Sequence, residues 1–131
     1  MKGYTENGKK IPFFTTMGGA FEHSAEKNNQ APFNMVDSWV KAKPNLDLKT
    51  PLNFVSTVDI IGGNSGSPTV NKEGQVIGIV FDGNIQSLVL DCIYTDTQAR
   101  AVSVDSAAII EALRKVYDVS GLADELEAVK P

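Results

Sequence analysis

Hydrophobic residues along this chain follow two rhythms. In the middle, β-branched and aromatic runs at Leu52 to Ile61, Pro68 to Val70, Gln75 to Phe81, Leu88 to Tyr94 and Ala101 to Val104 are separated by Gly, Asn and Asp, which predicts short strands with tight connections. Asn71-Lys72-Glu73-Gly74 predicts a hairpin between two of them. Towards the C-terminus Ile109, Ile110, Leu113, Val116 and Tyr117 recur at helical spacing behind Asp105, a good N-cap, and Gly121 marks the expected helix end. A last short helix is expected from Leu122 to Val129.

The first fifty residues are less regular. Residues 1–20 read as one short strand around Ile11-Pro12-Phe13-Phe14 and a turn at Gly18-Gly19. A brief helix is expected from Phe21 to Lys27. A second is expected from Met35 to Lys43, with Asn34 as N-cap, Asp37 in the first turn and Pro44 closing it, so that Val36, Trp39 and Val40 share a face for packing on the strands. The chain thus reads as one unit: an entry segment with short helices (1–51), barrel strands (52–104) and C-terminal helices (105–131). The fold class is mainly β with peripheral helices, a small antiparallel barrel or sandwich carrying an amphipathic C-terminal helix. Absence of βαβ alternation argues against a Rossmann-type sheet.

Charge and composition remove several functions. The 131 residues carry a formal net charge of −4, and their 12 Lys and Arg are scattered, so there is no basic stripe for a nucleic acid. One Cys and one His cannot build a disulfide framework or a four-ligand N/S zinc site, and no metal or cofactor constellation is visible. The longest apolar runs, such as Val76 to Phe81, fall far short of the roughly 20 residues that span a bilayer, and no signal-peptide core follows Lys2.

One segment carries chemistry. In Asp59-Ile60-Ile61-Gly62-Gly63-Asn64-Ser65-Gly66-Ser67-Pro68 a strand runs into small and polar residues and out into another strand, presenting Ser65 at the loop tip. Gly63 and Gly66 suit a left-handed backbone and close approach by a substrate. Such a loop can aim the amides of Gly63 and Ser65 at one point, an oxyanion hole for a carbonyl under attack by a hydroxyl.

Gly-Asn-Ser-Gly-Ser-Pro, the Lys-Glu-Gly turn and the returning strand Gln75-Val76-Ile77-Gly78-Ile79 resemble the nucleophile loop of trypsin-like serine proteases. Phe81-Asp82-Gly83-Asn84, Asp91 through Tyr94 and Arg100-Ala101-Val102-Ser103-Val104-Asp105 narrow this. Together with Lys2-Gly3-Tyr4 and Phe54-Val55-Ser56-Thr57, they resemble the C-terminal end of the bacterial serine dipeptidyl-peptidases, the family that includes dipeptidyl peptidases 7 and 11. The resemblance implies the second barrel of a chymotrypsin-like double barrel cut from a longer enzyme, whose first barrel, helical domain, catalytic His and catalytic Asp lie upstream. It also implies a periplasmic or secreted bacterial location, no cofactor, peptide substrates with a free N-terminus, and room for a homodimer. Carried over residue by residue, Ser65 is the nucleophile, and Gly63 and Ser65 give the oxyanion amides. Asp82 holds the substrate amine, and Gly83, with Phe81 beside it, shapes the pocket for the side chain before the scissile bond. Family members selective for acidic side chains carry Arg at the Gly83 position, so Gly83 implies an apolar preference. A chain holding the nucleophile without its base is expected to be inactive by itself.

Asp82 also has a reading independent of resemblance. A dipeptidyl peptidase must hold an amine two extended residues, about 7 Å, from the scissile carbonyl, and a carboxylate at the end of a returning strand can do so. Two alternatives stand beside this reading. One is a fragment of a trypsin-like endopeptidase of the glutamyl-endopeptidase or high-temperature-requirement type; the other is a non-catalytic peptide-binding barrel in which Ser65 is a turn residue. His23, the single in-chain base, reads as a solvated or packing residue, Cys92 as a buried inert thiol in a strand, and Asp124, Glu125 and Glu127 as a solvated helix face.

Overall fold

The computed structural model describes residues 1–128, which divide into two compact units: Met1–Thr15 with Pro51–Ser106, and Thr16–Thr50 with the chain from Ala107 onward. In the first, β1 (Tyr4–Glu6) and β2 (Lys9–Ile11) form an antiparallel ribbon. The larger sheet has the order β3-β4-β7-β6-β5, from β3 (Phe14–Thr16), β4 (Pro51–Ser56), β5 (Pro68–Val70), β6 (Val76–Gly83) and β7 (Ala101–Asp105). The pairs β4–β7, β7–β6 and β6–β5 are antiparallel.

This sheet stays open, against the expected closed barrel. Closure requires the two edges to pair, and here each edge strand, β3 and β5, is three residues long. The run from Leu88 to Tyr94, expected as a further strand, instead begins inside a 3-10 helix spanning Ile85–Asp91. The carbonyl of Asn84 accepts from both the amide (2.8 Å) and the hydroxyl (2.7 Å) of Ser87, so a local turn wins over β propensity. Ile85, Leu88, Val89 and Ile93 remain exposed. Cys92 caps this helix and is exposed, a correction to the buried strand thiol the sequence suggested. β4 ends at Ser56, leaving residues 57–61 outside the strand expected to reach Ile61.

Phe54, 1% exposed, anchors the buried face of the sheet together with Val80 and Ala101. A Cβ on Gly78 would lie 2.6 Å from the Phe54 ring, so that glycine is a packing requirement. On the same unit Thr69 and Ser103, on the strands flanking β6, join hydroxyls at 2.9 Å. The hairpin at Asn71–Gly74 forms as expected: Asn71 Oδ1 accepts from the amides of Glu73 and Gln75 at 3.0 and 2.9 Å.

Arg100 is almost wholly buried, and among the described residues its guanidinium bonds backbone carbonyls. Its guanidinium donates to the carbonyls of Lys2, Gly3, Asp96 and Ala99 at 2.6–2.8 Å, which fastens the first residues to the turn before β7. Among the described residues, the hydroxyl of buried Ser56 has no partner.

The second unit is helical. α1 (Met17–Glu26) starts earlier than predicted and takes Gly18-Gly19 into its first turn. Thr16 Oγ1 caps it by accepting from Gly19 N at 3.1 Å, and Gly18 lies so near Leu48 that a Cβ would meet the Leu48 carbonyl at 2.9 Å. Asn28 and Asn29, both left-handed, end the helix. α2 (Asp37–Ala42) is shorter than expected: Val36, with no side-chain cap bond, takes the N-cap place assigned to Asn34, and Pro44 sits inside a 3-10 turn over Lys43–Asn45. Val36 and Val40 are exposed, not packed; Trp39 Nε1 donates to Tyr117 Oη at 3.4 Å. α3 (Ser106–Lys115) follows Asp105 directly, and Gly121, expected to end it, lies inside α4 (Ser120–Ala128). Val129, the expected end of the last helix, falls outside the described residues. Asp124 and Glu127 are not merely solvated: both accept from Arg114, at 2.6 and 2.7 Å, which joins α3 to α4 and raises the Arg114 pKa. Met17, Phe21, Ala108, Ala112 and Ala123 are buried in this unit.

Candidate active site

The loop between β4 and β5 is built by its own polar groups. Asn64 Oδ1 accepts from Ile61 N at 2.8 Å, and Asn64 N donates to Ile61 O at 3.1 Å, closing a tight turn. Gly63 and Gly66 have φ of +104° and +91°, with nothing near a hypothetical Cβ, so both are there for backbone conformation. Gly66 N and Val80 N then tie the loop to β6 through Val80 O and Ser67 O at 2.8 and 3.0 Å.

Alternate amides along the turn are committed. Those of Asn64, Gly66 and Ser67 donate to carbonyls, whereas those of Gly63 and Ser65 donate to no group among the described residues. Ser65 is exposed, and its Oγ points to Phe81 O at 3.4 Å. An exposed hydroxyl whose own amide and the amide two residues before it are both unspent is an arrangement suited to holding an oxyanion.

The facing strand contributes the rest. Between Val80 and Asp82 the β6–β7 register shifts by one residue, which leaves Phe81 unpaired as a β-bulge. Before the shift Gly78 and Val80 point inward; after it Phe81 and Asp82 are both exposed. Asp82 Oδ1 accepts from Gly83 N at 2.8 Å, which orients the carboxylate and leaves its second oxygen available. Ser65, Phe81, Asp82 and Gly83 line one open cavity of about 230 Å³, with Ser87 and Leu88 from the 3-10 helix and Ile60 to Gly62 from the loop. Gly63 is on the loop but not in the cavity wall. The wall mixes apolar side chains with small polar groups and one carboxylate in about equal measure, and among the described residues it includes no Lys, Arg or His.

Sequence reading missed three supports. Asn84 fixes the strand end: its N donates to Arg100 O at 3.0 Å, its Nδ2 to Gln98 O at 2.7 Å, and its Oδ1 accepts from Arg100 N at 2.8 Å. Ser87 and Arg100 are the others, and the Asp-Gly-Asn triplet at a strand end was the available signal for the first. The single histidine, His23, sits on α1 in the helical unit, with Nδ1 3.7 Å from Glu26 and its ring edge-on to Phe33.

The family model of Peptidase S46 matches residues 1–128. A dipeptidyl-peptidase 7 from Phocaeicola vulgatus is 32% identical over 139 aligned residues, covering 99% of this chain and 19% of that protein. An Asp/Glu-specific dipeptidyl-peptidase from Shewanella putrefaciens is 39% identical over 88 residues, 67% of this chain and 12% of the relative. The crystal structure of Porphyromonas endodontalis DPP11 in complex with the dipeptide Arg-Asp superposes with a TM-score of 0.84 at 25% identity, covering 96% of this chain and 19% of that one. The matched region therefore spans between about an eighth and a fifth of the length of these relatives. On the match of the family model over nearly its whole length, this chain belongs to the S46 peptidases.

Proposed function

We propose that this chain is the nucleophile-bearing part of a serine exopeptidase that releases dipeptides from free N-termini. The observation that carries this reading is the placing of Ser65, whose own amide and that of Gly63 are uncommitted, in the same cavity as the carboxylate of Asp82. In the parent enzyme Ser65 Oγ attacks the carbonyl carbon of the second residue, while a histidine outside this chain takes its proton and an aspartate orients that histidine. The Gly63 and Ser65 amides hold the oxyanion. On collapse the C–N bond breaks, the proton passes to the leaving amine, and water then hydrolyses the acyl-enzyme to free the dipeptide.

Asp82 pairs with the substrate ammonium, and the pocket beside Phe81 and Gly83 accepts an apolar side chain. Its wall has no cation to pair with a carboxylate, and Asp82 would repel one. The Asp/Glu specificity in the name of the Shewanella putrefaciens relative is not carried over for that reason. The same reading assigns a chymotrypsin-like double barrel to the parent, a periplasmic or secreted location, and no activity to this chain alone. The exposed Ile85, Leu88, Val89 and Ile93 are then surface for the rest of the parent to cover.

The test is Ser65→Ala in the full-length parent. Turnover and fluorophosphonate labelling are expected to vanish with the thermal melt unchanged, since Ser65 is exposed. Retention of near-wild-type turnover would refute the nucleophile, and collapse of the fold would make the residue structural.

A further inference from the structure

Gly83 differs from the loop glycines. Its φ lies outside the left-handed region, so its backbone admits any residue; what it lacks is space. A Cβ there would collide with Ser87 Oγ, come within 3.1 Å of Ser87 Cβ and touch Arg100 O at 3.5 Å. Ser87 is not free to swing away without cost. Its Oγ donates to Asn84 O at 2.7 Å, its N donates to the same carbonyl at 2.8 Å, and it is only partly exposed on the 3-10 helix that follows the strand. Rotating the hydroxyl breaks a hydrogen bond, and its Cβ must still give way by a few tenths of an ångström.

Ser87 and Gly83 both face the cavity that holds Ser65 and Asp82. We propose that Ser87 is a second specificity-determining residue: its side chain takes the volume that a side chain at position 83 would need, so the two positions set the pocket's preference as a coupled pair. This rests on the exopeptidase reading above. Without the Ser87 side chain, an arginine at 83 can seat its guanidinium in the cavity and pair with a substrate carboxylate in fork geometry. With Ser87 in place the same arginine is displaced at its Cβ and blocks the pocket without presenting its charge correctly.

The experiment uses the full-length parent as wild type, Gly83→Arg, Ser87→Gly and Gly83→Arg/Ser87→Gly, assayed on free-amine substrates that differ only in Leu or Glu before the scissile bond. Gly83→Arg is expected to lower kcat/KM for Leu by about tenfold or more and to leave Glu within about threefold of wild type; the double variant gains about tenfold or more on Glu over Gly83→Arg. Ser87→Gly alone keeps the Leu-over-Glu ranking, because it adds no cation. If Gly83→Arg inverts the ranking as fully as the double variant, the coupling to Ser87 is refuted while the pocket reading stands. If the ranking is the same in all four, Gly83 does not line the pocket, and both readings fall. Thermal melts of Gly83→Ala, Ser87→Gly and their double variant guard against misfolding: the loss in the double is expected to be smaller than the two single losses added, and additive losses overturn the steric coupling.

Discussion

Replacing Asp82 by Asn isolates the charge at the edge of the cavity. Asn keeps the shape and keeps an oxygen to accept from Gly83 N, the 2.8 Å bond that orients the wild-type carboxylate, so the strand end is preserved. On the proposed exopeptidase reading, what disappears is the attraction for the substrate ammonium. At about 4 Å that attraction is roughly 1 kcal/mol in water and roughly 4 kcal/mol near a partly screened protein surface. Asp82 is exposed in the free cavity and becomes partly covered only when substrate fills it, so an intermediate value of about 1–3 kcal/mol applies, or roughly 5- to 150-fold in kcat/KM. The assay compares the parent enzyme on peptides with free and acetylated N-termini, then follows the free-amine substrate through the titration of its amine, near pH 8. Wild-type activity on that substrate is expected to fall as the amine loses its proton, and Asp82→Asn is expected to flatten that fall. Equal losses on free and acetylated peptides would assign Asp82 to support of the loop, and an unchanged pH dependence would sever it from the amine.

Three further outcomes concern stability. Arg100→Met removes a buried guanidinium and leaves four carbonyls, of which only that of Ala99 is in a fully buried bond, so chemical denaturation is expected to show a loss of about 2–4 kcal/mol, with no rescue by Arg100→Lys because one ammonium cannot span them. Ser56→Ala deletes a buried hydroxyl that has no partner among the described residues and is expected to leave stability unchanged or raise it by up to about 1 kcal/mol in the same measurement. The Lys2–Asp96 hydrogen bond and its charge, at 2.9 Å, hold the Asp96 carboxyl below its usual pKa, so this exposed pair contributes above the ordinary carboxylate value and its small share is lost as pH falls through the lowered one; Lys2→Ala should flatten only that acid limb of a melt-versus-pH series.

Much of the site was legible because it is local. Gly63, Ser65 and Gly66 announce a loop whose backbone must turn left, and the Asn71–Gly74 hairpin fixes which strand returns beside it. What the sequence concealed depends on partners distant in the chain. Gly18-Gly19 looked like a turn because close approach to Leu48 is invisible from the glycines themselves. The Leu88-to-Tyr94 run looked like a strand because its composition is apolar and branched, yet part of it is a 3-10 helix and much of its apolar surface faces outward. Arg100 enters the sequence reading only as part of a motif, and its structural part shows only where four carbonyls converge on it. Gly83 was assigned by resemblance to a pocket; the reason it must be small lies four residues on, in Ser87.

The one-residue slip at Phe81 separates two jobs within a single strand. Upstream of it, side chains answer to the core through Phe54 and Ser103; downstream, they answer to whatever fills the cavity. Substitutions past the slip can therefore reshape the cavity while the packing behind stays constant. Loss of the slip is another matter. Were Phe81 paired into the ladder, strict alternation past Val80 would turn Asp82 to the inward side and bury its carboxylate, so the slip itself is far less negotiable than the identity of the residues beyond it.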